Sequence, residues 1–397
     1  MKIVFLSNYY NHHQAFLSQA FADIDGVDFF FIETQAMEKE RLELGWNNDT
    51  KPDFVKSTYK SPNEEIECID LINTADVLIV GSAPLYYIKK RLTEGKVTFR
   101  YSERIFKCGI TPKLIYFLIK DHYLYKKYPQ YLLCASAYMP CDVSPFGLYK
   151  SGMFNWGYFP EVKKYDIEKL LSIKEENKVP VILWCGRFIH WKHPELALEV
   201  ARFLDKKKYD FKMEMIGTGK LLPMIKRKIK KYDLEDKISV LGSMSPENVR
   251  HHMERANIFI ATSDFNEGWG AVINEAMNSG CVVVASHAMG AVPILLRNKG
   301  NGFIYKNGNI KEACFYIEDI MINKSKRREI AINAYLTIVD MWNYENAAER
   351  FVHLAKGVID GKTCNDFFVE GPCSLAKVIR QKHMYKFVSE HLVGRDN

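Results

Sequence analysis

The chain reads SDFNEGWGAVINEAM over residues 263–277, and this stretch is the most informative guide to the fold. The apolar run before it, residues 258–261, predicts a buried strand, and residues 269–279 have the apolar spacing of an amphipathic helix. A strand, a polar loop with glycines and a helix in this order are typical of parallel α/β sheets. Because such sheets bind ligands beyond the carboxyl ends of their strands, we expect a ligand-binding loop at residues 263–270, here called the glutamate loop.

The same alternation of strands and helices extends along the chain in both directions. In the second half it predicts strands at 180–185, 211–216, 238–241, 281–285 and 303–305, with helices at 194–206, 219–231, 246–255 and 310–322. In the first half it predicts strands at 2–6, 27–32, 75–80, 97–101 and 131–135, with helices such as 12–23 and 63–73. The predicted fold class is therefore α/β, with two Rossmann-like, doubly wound domains facing each other across a cleft.

The length of 397 residues suits two such domains. We expect an N-terminal Rossmann-like domain at 1–165 and a C-terminal Rossmann-like domain at 178–343, since a glycine, a proline and then a charged stretch separate the two halves. Residues 344–397 predict C-terminal helices that cross back to the N-terminal domain.

Two carboxylates and two glycines give the glutamate loop its expected chemistry. Glu267 and Glu275 are eight positions apart, a little over two helical turns, so both project to a similar face. A carboxylate repels phosphate but accepts hydrogen bonds from vicinal sugar hydroxyls. Gly268 and Gly270 leave the first helical amides accessible, and a helix N-terminus attracts phosphate. The competing interpretation is that Glu275 is an ordinary exposed helix residue.

A second loop carries two cations. Residues 184–194 read WCGRFIHWKHP, so a strand ends near Gly186 and a helix begins near Pro194. Arg187 and Lys192 then lie together at the carboxyl edge of the sheet, in a segment we call the cation loop, residues 186–193. Two cations there can clamp a diphosphate and stabilise its charge as a bond breaks, although surface charge alone is the alternative.

The strand ends at Gly186, Gly217 and Met244 are further candidates for binding a ligand through the backbone. Gly217 follows the strand at 211–216 in the sequence MIGTG, a weak phosphate signal that also suits a tight turn. Backbone groups around Met244 can bind the edge of a base, while Ser245 and Pro246 after it are equally a helix cap.

These motifs resemble the retaining GT-B glycosyltransferases, the large family with bacterial mannosyl-, galactosyl- and N-acetylglucosaminyltransferases. The resemblance is strongest over 180–305, in the Glu-x7-Glu element and in Arg187 and Lys192. It implies that Glu267 contacts the transferred sugar, Glu275 the nucleotide ribose, and Arg187 and Lys192 the diphosphate. The amides of Gly268, Trp269 and Gly270 would meet the distal phosphate or the sugar. The implied activity is hexosyl transfer from a nucleotide sugar such as a UDP-sugar. The resemblance implies that neither a metal ion nor a cofactor is needed. It also implies a role in the assembly of bacterial surface polysaccharide or glycolipid.

The first half departs from that family. Residues 7–14 read SNYYNHHQ and contain no glycine, where the family's first loop is usually glycine-rich. Asn11, His12 and His13 are still expected to contact donor or acceptor, the alternative being a helix N-cap with two surface histidines. Many relatives carry a histidine after a middle strand, but residues 101–104 have none, so Glu103 is the expected acceptor ligand instead.

Two other enzyme classes are alternatives for a protein with this predicted architecture. A nucleotide-sugar 2-epimerase shares the architecture and would turn over donor without an acceptor. A dinucleotide-dependent dehydrogenase would need G-x-G-x-x-G after the first strand, which residues 7–14 lack, and an acid after the second. The D-x-D pattern at Asp23 and Asp25 lies before the second strand and predicts a turn rather than a metal site. No nucleic-acid partner is expected.

Charge and apolar surface together suggest a membrane. The net charge is +7, and no apolar run approaches the roughly 20 residues of a membrane span. Residues 104–127, here called the basic aromatic segment, contain six lysines and arginines against one aspartate, with aromatic residues throughout; 372–395 is also basic. Such segments suit an anionic lipid surface, so we expect a cytoplasmic protein at the inner face of the cell membrane that uses a lipid-linked glycan acceptor. A solvated basic face is the alternative.

Overall fold

The computed structural model describes residues 1–38, 51–362 and 367–394, which form two compact units. Unit 1 consists of Met1–Glu161 and Met341–Ile379, and unit 2 consists of Val162–Asp340 and the segment from Arg380 onward. The structure thus divides the C-terminal segment, which the sequence analysis treats as one tail, between the two units.

Unit 1 contains a parallel sheet. Its elements up to Glu161 are β1 (Lys2–Ser7), α1 (His12–Ala22), β2 (Asp28–Glu33), β3 (Val55–Ser57), α2 (Pro62–Thr74), β4 (Val77–Val80), α3 (Lys89–Thr93), β5 (Thr98–Ser102), α4 (Pro112–Asp121), β6 (Gln130–Cys134), α5 (Met139–Val143) and β7 (Met153–Asn155). The described strands are ordered β3-β2-β1-β4-β5-β6-β7, and all pair in parallel. The order reverses between β1 and β4, which is where doubly wound sheets open for a ligand.

Unit 2 contains the second parallel sheet. Its elements up to Asp340 are α6 (Ile167–Glu175), β8 (Val181–Cys185), α7 (Pro194–Lys206), β9 (Lys212–Ile216), α8 (Leu222–Lys231), β10 (Ile238–Gly242), α9 (Pro246–Arg255), β11 (Ile258–Ala261), α10 (Val272–Asn278), β12 (Val282–Ser286), α11 (Val292–Leu295), β13 (Phe303–Tyr305), α12 (Ile310–Ile322) and α13 (Lys324–Leu336). The described strands are ordered β10-β9-β8-β11-β12-β13, a Rossmann order that reverses between β8 and β11.

The two halves of the C-terminal segment pack by different contacts. Helix α14 (Tyr344–Ile359) lies in unit 1, where Phe351 packs against Phe21 of α1. Helix α15 (Gln381–His391) lies in unit 2, where Met384 and Val388 are buried. Burial of these apolar side chains, at about 25 cal/mol per Å², is what attaches each helix to its unit.

The strands form where the sequence is continuously apolar. In β4 and β11 every residue is buried, as expected for central strands of a parallel sheet covered on both faces. Helix α7 shows the complementary pattern, with Pro194 at its start and Ala197, Leu198, Ala201 and Leu204 on its buried face.

Several elements differ from the sequence predictions. The charged stretch predicted as a linker contains helix α6, whose Leu171 packs into the core of unit 2. Strands β3 and β7 are the two outermost described strands of their sheet. Their sequences, VKS and MFN, are not continuous apolar runs like the FIY of β13, so the sequence did not predict them.

Candidate functional site

The cation loop and the glutamate loop follow two neighbouring strands. The cation loop follows β8, and the glutamate loop follows β11, which pairs with β8 in parallel. Both loops therefore leave the carboxyl edge of the sheet at the point where the strand order reverses, the position at which open α/β sheets bind ligands.

Direct contacts join these two loops. The Lys192 ammonium group forms an ion pair with the Glu267 carboxylate, and both side chains are largely shielded from solvent. The Asp264 amide donates to the Trp191 carbonyl (2.9 Å), and the Thr262 hydroxyl donates to the Lys192 carbonyl (2.5 Å). His193 also contacts Asp264 through Nε2 (3.1 Å). These contacts hold a cation and a carboxylate side by side at the edge of the sheet.

Arg187 is the second cation of the cation loop and is exposed. Its guanidinium group lies 5.3 Å from the centre of the Trp191 ring. The next residue, Phe188, is fully buried and packs against Trp184 of β8. The loop is thus anchored in the core by Phe188 while Arg187 extends into solvent, where it can meet an anion.

Glu275 lies on α10, which follows the glutamate loop, and is partly buried. The Cys185 thiol lies at the end of β8. Its pKa is raised to about 12, mainly by burial and in part by the Glu275 charge, while the Lys192 charge lowers it. Glu275 and Lys192 therefore lie near the same strand end, and Glu275 is not a fully exposed helix residue.

Two glycines permit close approaches of the backbone around this site. A Cβ atom at Gly217 would lie 2.0 Å from the Gly186 carbonyl oxygen, and the φ angle of Gly217 is +129°. A Cβ atom at Gly270, whose φ angle is +94°, would lie 2.7 Å from the Met289 side chain. Only glycine fits either position, so the loops after β8, β9 and β11 can pack closely.

The remaining predicted donor-binding residues lie in unit 2 but differ in their exposure to solvent. The Trp269 side chain is buried, and its indole nitrogen donates to Asn274 (3.0 Å), so this side chain is used within the protein. Gly268 is also buried. Met244 is partly exposed in the loop after β10, directly before Ser245, which caps α9.

In unit 1 the structure joins two of the predicted acceptor residues. Asn11 is the N-cap of α1 and accepts from the His13 amide (2.9 Å). The His13 ring stacks on Tyr158 (5.7 Å between centres), and the Tyr158 hydroxyl donates to Glu103 (2.6 Å). Glu103 is also paired with Lys107 (2.8 Å). His13 and Glu103, far apart in sequence, are thus connected through Tyr158.

His12 and His13 are partly buried rather than surface histidines. Their rings are in contact, 3.9 Å apart, and burial lowers the pKa of His12. His12 therefore tends to be neutral near pH 7 and can accept or donate a hydrogen bond. Sequence analysis missed Tyr158 because a single tyrosine in an irregular segment carries no pattern.

Glu33, at the end of β2, was also missed by sequence analysis. Its carboxylate is fully buried and accepts from Lys51 Nζ (2.5 Å), Ser57 (2.7 Å), Tyr59 (2.6 Å) and the Tyr10 amide (3.2 Å). A dinucleotide-binding domain offers an acid at this place to a ribose. Here protein donors use the acid, which argues against that alternative.

The described residues form neither a recognisable metal site nor a membrane-spanning helix. Within 1–38, 51–362 and 367–394, no cluster of three or more His, Cys, Asp or Glu side chains is arranged to hold a metal ion, and no helix is long and apolar enough to cross a membrane. Asp23 caps the end of α1 and Asp25 lies in the turn before β2. Arg395 of the basic C-terminal stretch lies outside the described residues.

The basic aromatic segment exposes apolar and cationic side chains together. Large apolar side chains are exposed on α4 and the residues that flank it: Ile110, Tyr116, Phe117, Ile119, Tyr123 and Leu124. The lysines of the same segment, Lys113, Lys120, Lys126 and Lys127, are exposed as well.

Comparison with known proteins finds a family likeness within unit 2. Residues 166–337, which include both loops, match the family of glycosyl transferases group 1. We call this matched stretch the group 1 domain. An uncharacterized glycosyltransferase of Haemophilus influenzae is 28% identical over 189 residues, which are 47% of this chain and 50% of that protein. The poly(ribitol-phosphate) alpha-N-acetylglucosaminyltransferase of Staphylococcus aureus is 23% identical over 204 residues, 49% of this chain and 41% of that protein. The chain thus matches at most half the length of these two relatives.

Solved structures extend the likeness beyond the group 1 domain. The crystal structure of Anabaena HepE in complex with UDP superposes with a TM-score of 0.66 at 15% identity, covering 90% of this chain and all of that one. At this identity the likeness concerns the fold, and it confirms the predicted fold class of two Rossmann-like domains, the GT-B type. The group 1 domain accordingly contains one of the two doubly wound sheets described in this chain.

Proposed function

We propose that this protein is a retaining, metal-independent glycosyltransferase that moves a sugar from a nucleoside diphosphate to a hydroxyl acceptor. The observation that carries the proposal is the ion pair between Lys192 and Glu267. It holds a diphosphate-binding cation beside a hydroxyl-binding carboxylate. A diphosphate bound at Lys192 would therefore hold its attached sugar at Glu267.

Each residue of the site has a role in this proposal. Arg187 and Lys192 bind the diphosphate, and the backbone amides of Gly268, Trp269 and Gly270 bind its distal phosphate or the sugar. Glu267 accepts from hydroxyls of the transferred sugar, and Glu275 from the ribose. The remaining contacts to phosphate and base come from the backbone, at three strand ends: Gly186, Gly217 and Met244.

The proposed reaction needs no nucleophile from the protein. The bond between the anomeric carbon and the phosphate oxygen breaks, and the acceptor oxygen forms its bond to the same face of that carbon. The acceptor proton passes to the leaving phosphate oxygen, so the products are the glycoside and a nucleoside diphosphate. Stabilising the negative charge on this leaving group is the main catalytic contribution that Arg187 and Lys192 would make.

Uridine nucleotides are the proposed donors. The Anabaena HepE structure contains UDP, and the Staphylococcus aureus relative is named as an N-acetylglucosaminyltransferase. We extend this class of donor to the present chain because its group 1 domain carries candidate residues for sugar and diphosphate at the carboxyl edge of its sheet.

The acceptor is proposed to bind unit 1 near His13, Tyr158 and Glu103, with Asn11 and His12 beside them. A tyrosine ring and a carboxylate that already share a hydrogen bond offer an apolar face and an acceptor for a sugar hydroxyl. The acceptor class we propose is a lipid-linked glycan used in surface polysaccharide or glycolipid assembly.

Membrane contact through the basic aromatic segment supports that acceptor class. Its exposed aromatic and aliphatic side chains can enter the headgroup region while its exposed lysines attract anionic lipid. The protein would then act at the cytoplasmic face of the cell membrane, where lipid-linked acceptors are located.

A panel of UDP-, GDP-, dTDP- and CDP-sugars tests the function. One nucleotide sugar should raise the melting temperature, and adding acceptor glycolipid should release nucleoside diphosphate with the donor's anomeric configuration kept in the product. Conversion of the donor to its 2-epimer without an acceptor would establish the epimerase alternative. An inverted product would contradict the retaining mechanism.

A further inference from the structure

The glutamate loop lies on a segment of unit 2 that follows strand β12. The Phe265 ring contacts the His287 ring edge-on, 5.4 Å between centres, and Gly270 lies under the Met289 side chain. The Ala291 amide donates to the Trp269 carbonyl (3.1 Å). Residues 287–291, here called the support segment, thus contact Phe265, Trp269 and Gly270 of the glutamate loop.

His287 is the residue at which this support segment is itself held. Its amide donates to the Tyr305 carbonyl (2.9 Å), and its Nδ1 accepts from the Asn307 amide (3.0 Å). Burial lowers its pKa to about 4, so the ring is neutral at pH 7 and its orientation is defined by that accepted hydrogen bond. If a residue on one side of a ring held in this way is displaced, the residue packed on its other side can shift as well.

The neighbour on the other side of His287 is Tyr385 of the C-terminal helix α15. The two ring centres are 5.2 Å apart, and the Tyr385 hydroxyl donates to Glu312 in the first turn of α12. Helix α15 is itself anchored, because the Asn298 amide donates to the Leu392 carbonyl (2.6 Å) and the Gly394 amide to the Asn298 carbonyl (2.9 Å). The contact of Tyr385 with His287 is therefore made by a helix that is fixed at its end.

We propose that Tyr385 is a positioning residue for the glutamate loop, acting through His287 and Phe265 on Glu267. In this chain of contacts helix α15 touches none of the proposed substrate-binding residues directly. It would act on the donor site only through the support segment. The proposal depends on the proposed function only for its kinetic consequence. Its structural consequence, order in residues 263–270, does not depend on which reaction the protein catalyses.

The kinetic consequence follows from the role of Glu267. Because a displacement of about 1 Å in a site can slow a reaction roughly a hundredfold, Tyr385→Ala should lower kcat for transfer by about tenfold or more. The affinity for UDP alone should fall less than kcat does, since Arg187, Lys192 and Glu275 lie outside residues 263–270. Tyr385→Phe keeps the ring contact and should retain most of the activity.

Hydrogen exchange of the full chain tests the proposal directly. Tyr385→Ala should speed amide exchange in residues 263–270, and Tyr385→Phe should not. Phe387→Ala is the matched control, since it removes an aromatic ring from the same helix whose stacking partner, His391, is on that helix (4.9 Å). Tyr385→Leu, which keeps apolar bulk, replaces the alanine variant if that variant does not fold, and should show the same local increase.

Unchanged exchange at 263–270 in Tyr385→Ala or Tyr385→Leu would overturn the proposal. So would an equal increase in Phe387→Ala, since the effect would then be general loosening of the helix. If the wild type neither binds UDP nor transfers sugar, the proposed function fails, while the exchange comparison still decides whether Tyr385 orders the loop.

Discussion

Lys192 and Glu267 form an ion pair although 75 positions separate them along the chain. They meet because the loops that carry them follow β8 and β11, which are adjacent in the sheet. An ion pair in this partly shielded place contributes modestly to stability by itself. Its importance lies in the arrangement of opposite charges where a donor's diphosphate and sugar would be bound.

Removing either cation should slow transfer. We expect Arg187→Ala and Lys192→Ala each to lower kcat roughly a hundredfold or more, because each stabilises charge on the leaving diphosphate. Steady-state release of nucleoside diphosphate measures this. Lys230→Ala, which removes an exposed lysine from α8, is the control and should leave kcat unchanged. Chelator should have little effect on the wild type; activity lost with chelator and restored by Mn²⁺ would rule out the metal-free mechanism.

The two glutamates should separate binding from turnover. Glu275→Ala should weaken binding of free nucleoside diphosphate by roughly tenfold, since a charged hydrogen bond to the ribose is lost. Glu267→Ala should reduce transfer while leaving that binding nearly intact, because its proposed partner is the sugar. Calorimetric titration of both variants with UDP measures the difference. Equal affinities for Glu275→Ala and wild type would remove the ribose assignment.

Gly217 should tolerate no side chain. Gly217→Ala places a Cβ atom 2.0 Å from the Gly186 carbonyl oxygen, so we expect the free energy of unfolding to fall by about 2–4 kcal/mol. Gly308→Ala is the matched control, because Gly308 also has a positive φ angle, +77°, but no atom within 4 Å of the added Cβ. Its cost should be only about 1 kcal/mol. Urea unfolding compares them, and similar losses for both variants would show that backbone conformation, rather than the close approach, is decisive.

Glu33 should make stability depend on pH. Burial alone would raise the pKa of this carboxyl, but donors from Lys51, Tyr59, Ser57 and the Tyr10 amide outweigh burial and lower it below 4.5. A lowered pKa means that the unfolded chain binds the proton more tightly. The stabilisation is therefore complete above pH 4.5 and is lost as the pH falls through the folded-state pKa.

The variant Glu33→Gln tests this dependence. At pH 7 it should be less stable than wild type by roughly 1–3 kcal/mol, because buried donors lose a charged acceptor. The difference between the two unfolding free energies should shrink as the pH is lowered from 5 to 3. A difference that stays constant over that range would show that Glu33 has no lowered pKa in the folded protein.

Vesicle binding should require the basic aromatic segment. Each lysine near an anionic surface contributes about 1 kcal/mol, so changing four of them to glutamate should abolish sedimentation with anionic vesicles: Lys113, Lys120, Lys126 and Lys127. Wild-type binding should also weaken as salt is added. The control makes the same change at four exposed lysines of unit 2: Lys206, Lys226, Lys230 and Lys231. Equal wild-type binding to neutral and anionic vesicles would identify the segment as a solvated face.

Sequence and structure agree most closely where a strand is long and apolar. The six described strands of unit 2 lie within a residue or two of their predictions, and helix α7 spans the predicted residues, because a continuous apolar run and a terminal proline are local signals. Tyr158 and Glu33 show the opposite case. Each is defined by partners from other parts of the chain, so neither could be found from its neighbours in sequence.

The amino-acid sequence by itself determined two parallel α/β sheets and the segments that carry Arg187, Lys192, Glu267 and Glu275. The reason is that the apolar spacing that predicts a strand or a helix lies within a short segment of the chain. Only the tertiary structure decided that β8 lies beside β11, that His13 is connected to Glu103 through Tyr158, and that Tyr385 of α15 contacts His287. The physical reason is that the order of parallel strands and the packing of a terminal helix depend on which apolar faces bury each other across the whole chain. No local period encodes that choice.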